Sequence, residues 1–219
     1  MSIIAAMMFK SSLPDLSLVA RWPLFSDFND NIGSLNLAAS GAGRTLVSDG
    51  TYGTVLSCDG TASGVVFRDL VASGGTFPVT GFPFSYSCRR YFVSGNPFAL
   101  YFGNNALDSF FYHYVSSSTF GTNFSNAQQA YSAVAPTIGG WDVMAAVFPS
   151  SDLSTARLYK NNVLVANDGS GIATFPNVQS VGIGGLSFGG TNIAGPVARY
   201  SNVQISNIAW TAAQVATIT

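Results

Sequence analysis

Short apolar runs, each separated from the next by a cluster of turn-forming residues, are the feature that most constrains this chain. The runs that we expect to form strands are residues 18–24, 35–38, 54–58, 64–67, 82–92, 141–148, 157–160, 163–165, 180–184 and 197–205. Such spacing is typical of antiparallel β proteins, because each strand turns back after a few residues. The sequence therefore predicts an all-β fold, a two-sheet antiparallel jelly-roll sandwich.

Charged residues that favour helices are almost absent. The ten acidic residues are all aspartate, and the cations are arginines apart from Lys10 and Lys160. Glutamate and lysine are strong helix formers on exposed helix faces, so this composition excludes long amphipathic helices.

The C-terminus carries the one helix signal in the sequence. Thr211 and Gln214 match a capping box, which predicts one short C-terminal helix running to about Thr217. The apolar side chains that we expect to close the edge of the sandwich beside it are Trp210, Val215 and Ile218.

Period-two alternation is clearest between residues 82 and 92. Phe84, Tyr86 and Cys88 alternate with polar residues at positions 85, 87 and 89. This pattern predicts a strand with one face in the core and the other toward solvent or a partner.

A two-residue hairpin is predicted between residues 157 and 165. Asn161 and Asn162 separate two short apolar runs, and asparagine tolerates the positive φ values that such a turn requires.

The N-terminus divides the chain into a predicted arm, residues 1–14, and a jelly-roll domain, residues 15–219. The apolar side chains of the arm are Ile3, Ile4, Met7, Met8 and Phe9. They are too apolar to lie free in water, so we expect them to contact a neighbouring subunit at a sheet edge. The alternative is that the arm folds back as an edge strand of its own sandwich. No apolar run approaches the roughly twenty residues of a membrane span.

Charge is sparse, at 9% of residues, and the net charge is −1. This leaves no basic surplus for phosphate backbones, so nucleic-acid binding is not expected. Weak repulsion between copies favours association with copies of the same chain or with other assembly proteins.

Cys58 and Cys88 allow two interpretations. They form one disulfide, or they are two buried thiols in a fold whose core does not need a bridge. Their spacing matches no zinc motif, and His113 is the sole histidine.

The order of the motifs resembles the laminin-G-like, or concanavalin A-like, jelly-roll family. The matching segments are the Trp-containing strand at 140–147, the hairpin at 157–165, the Ile-Gly-Gly strand end within 181–185, the closing strand at 195–205 and the Trp-led helix at 210–215. Looser matches lie at 20–24, 56–60 and 82–87. The resemblance covers about residues 16 to 219 and implies the same sandwich fold.

Enzymatic activity is not expected from this resemblance. Family members that hydrolyse β-glucans carry a Glu-x-Asp-x-Glu strand, because the mechanism needs two carboxyl groups. This chain has no glutamate and no Asp-x-Asp.

A calcium site is the one cofactor site that the resemblance suggests. Legume-type lectins of this fold hold calcium with clustered Asp and Asn, and Asp27, Asp30 and Asn31 imitate such a cluster. An ordinary Asx-rich turn is the other interpretation.

A glycan site is suggested by the aromatic segment between residues 110 and 124. Phe111, His113 and Tyr114 could present rings to a sugar, whereas core packing is the alternative for each of them.

Sparse charge, an apolar arm and a binding-type jelly roll together favour a structural virion protein of a bacteriophage, in capsid decoration, a fibre or a baseplate. The alternative is a carbohydrate-binding module or adhesin, secreted or at the cell surface, that binds a glycan. The host, the position in the particle and the oligomeric state are not specified by the sequence.

Overall fold

The computed structural model describes residues 15–39, 42–95, 98–106, 110–115, 118–124, 129–188 and 191–218. Its strands are β1 Leu18–Trp22, β2 Ala38–Ala39, β3 Arg44–Asp49, β4 Gly53–Asp59, β5 Val66–Asp69, β6 Phe84–Gly95, β7 Phe98–Gly103, β8 Phe110–Val115, β9 Phe120–Phe124, β10 Gln129–Ser132, β11 Trp141–Phe148, β12 Arg157–Lys160, β13 Val163–Val165, β14 Ser180–Ile183, β15 Gly185–Phe188, β16 Thr191–Ala194 and β17 Pro196–Ser206. The helices are α1 Leu70–Ser73 and α2 Ala212–Val215, with 3₁₀ turns at Ala62–Gly64 and Leu153–Thr155.

Two antiparallel sheets pack face to face, which confirms the predicted sandwich. The first sheet has the order β13-β12-β11-β6-β17-β4-β3, with β1 also paired to β17. The second has the order β10-β9-β8-β7-β14-β5-β2, and β15 and β16 form a separate ribbon. Several neighbouring pairs in each sheet, such as β6 with β17 and β7 with β14, are far apart in sequence, so the turns alone do not set the topology.

Aromatic side chains from both sheets fill the main core. Phe84 of the first sheet stacks on Phe148 with 4.7 Å between ring centroids, and Phe102 stacks on Phe111 of the second sheet at the same distance. Phe84 and Phe111 contact each other across the interface at 5.1 Å. The alternation of β6 is therefore set by the burial of Phe84, Tyr86 and Cys88.

The two local predictions of backbone geometry are confirmed. Asn161 and Asn162 have φ values of 51° and 65° in the turn between β12 and β13. The capping box of Thr211 and Gln214 is present, although α2 ends at Val215, before the expected Thr217. Bonds of the i→i+3 type from Thr217 and from residue 218 tighten the last turn, which shortens the α-helix.

A second short helix, α1, was not predicted. The Asp69 side chain accepts a hydrogen bond from the Ala72 amide, and Gly74 ends the helix with a φ of 66°. A single turn with one polar cap and one glycine carries too short an apolar pattern to be recognised in sequence.

The segment after β17 packs on the outer face of the first sheet, the face turned away from the second sheet. A second apolar cluster forms there from Ala145, Val147, Tyr159, Trp210, Val215 and Ile218. The predicted burial of Trp210, Val215 and Ile218 is right, but they cover a sheet face rather than an edge of the main core.

The polar face of β6 is consequently covered over part of its length, contrary to the prediction that it faces solvent or a partner. The Ser85 hydroxyl donates to the carbonyl of Ile208 at 2.7 Å and accepts from the Trp210 amide at 3.0 Å. The Ser87 hydroxyl donates to Gln204. Serine suits this interior position because its buried hydroxyl forms hydrogen bonds with protein groups in place of those that it would form with water.

Cys58 and Cys88 are free buried thiols, which decides between the two interpretations of their role. Burial raises the pKa of Cys58 to about 12 and that of Cys88 to about 11, so both stay protonated.

The N-terminal arm, with Ile3, Ile4, Met7, Met8 and Phe9, lies outside the described residues. Within the described part of the chain, no helix has the length and apolar character to cross a membrane.

Candidate functional site

The other end of the same outer face carries an unusual set of side chains. Because Cys88, Arg90 and Phe92 point into the core, Arg89 and Tyr91 point outward. Tyr91 lies between Trp141 of β11 and Arg199 of β17 in the cross-strand register. These three side chains form a row of neighbours across three strands.

The turn between β3 and β4 folds over this row. The Trp141 Nε1 donates to both carboxylate oxygens of Asp49 at 3.1 Å, although β4, β17 and β6 separate β3 from β11 in the sheet. Four strand spacings amount to about 19 Å, so the contact requires the hairpin end to curl over the face. This places Tyr52 against the same row. We define the arginine–aromatic cluster as Asp49, Tyr52, Arg89, Tyr91, Trp141 and Arg199.

The rings of the cluster contact one another edge to face. Tyr52 and Trp141 have centroids 5.0 Å apart at 82°, and Tyr91 and Trp141 have centroids 5.8 Å apart at 69°. The Arg89 guanidinium carbon lies 4.5 Å from the centroid of Tyr52, and that of Arg199 lies 5.2 Å from the centroid of Tyr91. All five side chains are partly exposed. The cluster is thus a surface platform of aromatic rings and cations.

The carboxylate of Asp49 is the anion of the cluster and is held ionised. Its burial raises the pKa, but hydrogen bonds from the Thr51 amide, the Trp141 indole, the Tyr52 amide and the Arg199 guanidinium together bring the pKa below its ordinary value. The ion pair with Arg199 is 3.0 Å long. Asp49 therefore fixes Trp141 and Arg199 in place through its two oxygens.

Such a platform can bind a sugar. The C–H face of a pyranose packs on an aromatic ring, and guanidinium groups donate to its hydroxyls. Asp49 is the only carboxylate in the cluster, whereas glycoside hydrolysis uses a pair. Within the described ranges, no group of three His, Cys, Asp or Glu side chains is placed to hold a metal ion.

The residues predicted to bind a glycan are placed elsewhere. Phe111 is 0% exposed and His113 is 2% exposed, both between the sheets, so neither presents a ring to a sugar in solvent. That part of the prediction is wrong, because the inward face of β8 is needed to fill the core. The backbone of Tyr114 pairs with Phe98 and Gly121, and its side chain lies outside the described structure.

His113 belongs to a buried polar network. Its Nε2 lies 3.2 Å from Nη1 of Arg90, and its Nδ1 lies 3.0 Å from the hydroxyl of Tyr86, which also contacts Thr122. Arg90 can only donate, so Nε2 accepts and the proton resides on Nδ1. Burial, and then the charge of Arg90, hold the pKa of His113 well below its usual value, which keeps the ring neutral.

The predicted calcium ligands form a turn instead. Asp30 is buried, and its oxygens accept from the amides of Arg21, Ile32 and Leu35 at 2.9 to 3.2 Å. The Asp27 carboxylate accepts hydrogen bonds from the backbone and side-chain amides of Asn29 in a separate Asx turn. The backbone amide of Asn31 donates to the carbonyl of Arg21. The Asp30 carboxylate is thus used by backbone donors, and the calcium interpretation of Asp27, Asp30 and Asn31 is corrected to a structural Asx-rich turn.

A separate cleft of about 460 Å³ lies between residues 70–80 and 175–179. Its walls include Phe77, Val79, Phe175 and Val178, and none of its lining residues is charged. Thr76, Thr80, Asn177 and Gln179 add polar groups to its lining, but it brings no charged side chain to a ligand.

The sequence interpretation missed the arginine–aromatic cluster. One signal was available, since the alternation of β6 places Arg89 and Tyr91 opposite the core residues. The contact between Asp49 and Trp141 joins positions 92 residues apart and has no local signature.

No protein-family model matches the sequence, and no curated protein does. Solved structures with the same architecture include domain 4 of a GH43 extracellular arabinanase from Geobacillus stearothermophilus, solved in complex with arabinotriose, with a TM-score of 0.67 and 12% identity over 94% of this chain and 99% of that one. The binding domain of Paraclostridial Mosquitocidal Protein 1 has a TM-score of 0.66 and 12% identity, covering 91% of this chain and 51% of that one. Trypanosoma rangeli sialidase has a TM-score of 0.64 and 14% identity, covering 94% of this chain.

This chain spans about half of that toxin domain and 33% of the sialidase. At these identities the likeness establishes the fold alone. The chain is therefore a two-sheet antiparallel β-sandwich with the same architecture as these domains.

Proposed function

We propose that this protein is a glycan-binding module or adhesin, secreted or displayed at a surface, and that the arginine–aromatic cluster is its binding face. This is the second of the two functions that the sequence suggested. The similarity to a domain solved with arabinotriose and to a toxin binding domain favours it over the virion role. The observation that carries the proposal is the row of Tyr91, Trp141 and Arg199 on an outer sheet face, where all three side chains stay partly exposed.

Binding would combine stacking with hydrogen bonding. A sugar ring packs on Tyr91 or Trp141, and displaces water from apolar ring surface. The side chain of Arg199 is 40% exposed, so its free donors can reach sugar hydroxyls, whereas that of Asp49 is 6% exposed and acts by holding Arg199 and Trp141. Edge-to-face contacts fix the rings before the ligand arrives, which lowers the entropic cost of binding.

We propose that the face binds without catalysis. Supporting this, the sequence has no glutamate, and Asp49 is the one carboxylate of the cluster. Its pKa below the ordinary value suits a permanent ion pair, whereas a general acid needs a raised pKa.

The test is a glycan array probed with the purified chain, followed by titration of the strongest ligands with Tyr91→Ala and Trp141→Ala. Loss of one stacking ring is expected to weaken binding about threefold to tenfold, because such contacts contribute about 0.5–1.5 kcal/mol. Tyr131→Ala, which removes a partly exposed tyrosine of the second sheet, is the matched control and should bind normally.

Two results would overturn the proposal. One is the absence of binding to every glycan on the array by a chain whose circular dichroism is native. The other is unchanged affinity in both cluster variants, which would mean that the glycan binds elsewhere. The cleft of residues 70–80 and 175–179 would then be the next region to mutate.

A further inference from the structure

Positive charge accumulates on the outer face beside the cluster. Arg21 of β1 and Arg89 of β6 flank β17 on opposite sides, in register with Gln204 and Ser201. Both point outward, since Ala20 and Trp22, and likewise Cys88 and Arg90, point into the core. Arg199 lies on β17 itself, so three guanidinium groups share this region of a chain with very few charges.

Only one of these three cations has a carboxylate partner among the described residues. Arg199 pairs with Asp49, whereas the Nε of Arg21 donates to the side-chain oxygen of Asn202 at 2.8 Å. Arg89 stacks on Tyr52, and no carboxylate of the described chain lies within ion-pair distance of it.

Arg21 and Arg89 also repel each other. Burial, chiefly, and then the nearby charge of Arg21 lower the pKa of Arg89, while the group remains a cation. Two guanidinium groups on one face, separated by β17 and with no carboxylate paired to either, raise the positive potential between them and favour the binding of an anion there.

We propose that the ligand of the arginine–aromatic cluster is an anionic saccharide, whose carboxylate or sulfate group binds Arg89 with support from Arg21, while its ring stacks on the neighbouring aromatic side chains. This rests on the proposed function and specifies its ligand class. A guanidinium matches the two oxygens of a carboxylate or sulfate with a pair of parallel N–H donors. Arg199, already paired with Asp49, positions Tyr91 and contributes less to the anion.

The experiment compares acidic glycans with their neutral counterparts. Acidic ligands identified on the array are re-tested after methyl esterification of their carboxylates, and oligogalacturonide, a sulfated galactan oligosaccharide and neutral galactan oligosaccharides are titrated directly. We expect the acidic forms to bind, the esterified forms to lose at least about tenfold in affinity, and binding to weaken as salt rises from 50 to 500 mM. The carboxylated and sulfated probes separate the two sources of negative charge.

The variants assign the anion contact. Arg89→Gln should weaken binding of the acidic ligand about tenfold to a hundredfold, because charge-assisted hydrogen bonds are lost, and should weaken binding of neutral ligands by a clearly smaller factor. Arg89→Lys should recover part of the affinity, because lysine restores the positive charge but not the pair of parallel N–H donors. Arg68→Gln, which removes the same charge from β5 of the second sheet, is the control.

The outcomes distinguish this inference from the proposed function. Strong binding confined to neutral glycans, or equal affinity before and after esterification, overturns the anionic ligand and leaves glycan binding standing. Unchanged affinity of Arg89→Gln and Arg21→Gln for an acidic ligand overturns the assignment of the arginines. No binding to any saccharide overturns the proposed function itself.

Discussion

The two ends of one sheet face differ in what covers them. At one end, the segment after β17 buries Ser85 and the apolar side chains of β11, and Trp210 is 0% exposed. At the other end, the same strands present Arg89, Tyr91 and Trp141, which stay partly exposed under the hairpin of β3 and β4. The alternation of β6 is the same along its length, so alternation alone does not decide which positions become interior.

The two tryptophans show what this difference means physically. Trp210 donates its indole proton to the carbonyl of Leu16, a neutral acceptor in a closed apolar cluster. Trp141 donates to the carboxylate of Asp49, which is shared with Arg199 at the surface. The first arrangement stabilises the fold, and the second holds an aromatic ring where a ligand can reach it.

The largest expected effect comes from opening the covered end. Trp210→Ala should lower the free energy of unfolding by about 3–5 kcal/mol, because a fully buried aromatic is replaced by a cavity and Leu16 loses its donor. Urea denaturation measures the change, with Trp141→Ala as the matched tryptophan variant. Equal losses for the two variants would contradict the distinction between a structural end and a proposed binding end.

Removing the polar anchor of the same end should have a smaller effect. Ser85→Ala deletes a hydroxyl that bonds both Ile208 and Trp210, so we expect a loss of about 1–3 kcal/mol from two unsatisfied backbone groups. The same urea titration detects it. A change near zero would mean that water enters and that the end is less closed than the contacts indicate.

Arg89 and Arg90 are neighbours in β6 but lie on opposite faces of the first sheet, Arg89 on the outer face and Arg90 in the core. Arg90 is buried against His113, whose pKa is well below its usual value because of burial and the charge of Arg90. Below about pH 6.5 the histidine is protonated in the unfolded chain but stays neutral in the folded one. The free energy of unfolding should therefore fall as the pH is lowered, by up to about 1.4 kcal/mol per pH unit. Stability measured from pH 7.5 to 5 tests this.

His113→Gln is the control for that pH dependence. The variant should have a flatter profile between pH 5 and 6.5, whatever its absolute stability. An unchanged slope would assign the titration to another group. Asp49, whose pKa is below its ordinary value, contributes stability that is lost only on acidification below about pH 4.

The smallest effect is expected at the open end. Arg199→Gln breaks an ion pair whose cation is 40% exposed, and such pairs contribute about 0–1 kcal/mol. Thermal melting with ligand titration should therefore show a near-native fold and weaker glycan binding. A loss of stability above about 2 kcal/mol would make this end structural as well.

Sequence reasoning predicted the parts of the structure that have local causes. The hairpin at Asn161 and Asn162 depends on their positive φ, and the cap of α2 depends on Thr211 and Gln214. Sequence reasoning was less successful where a residue type has two structural uses. A histidine such as His113 can be a surface ring or a polar group in the core, and an aspartate such as Asp30 can bind a metal or form a turn.

By itself, the sequence determined that the chain is an all-β sandwich, because scarce helix formers and short apolar runs leave no other way to bury the apolar side chains. Only the tertiary structure decided which end of the outer face of β6 is closed by packing and which stays partly exposed. That choice depends on the C-terminal segment returning over Ser85 and on the hairpin carrying Asp49 to Trp141. Such contacts are set by sheet order and register, which pair residues across the whole chain and leave no trace in local patterns.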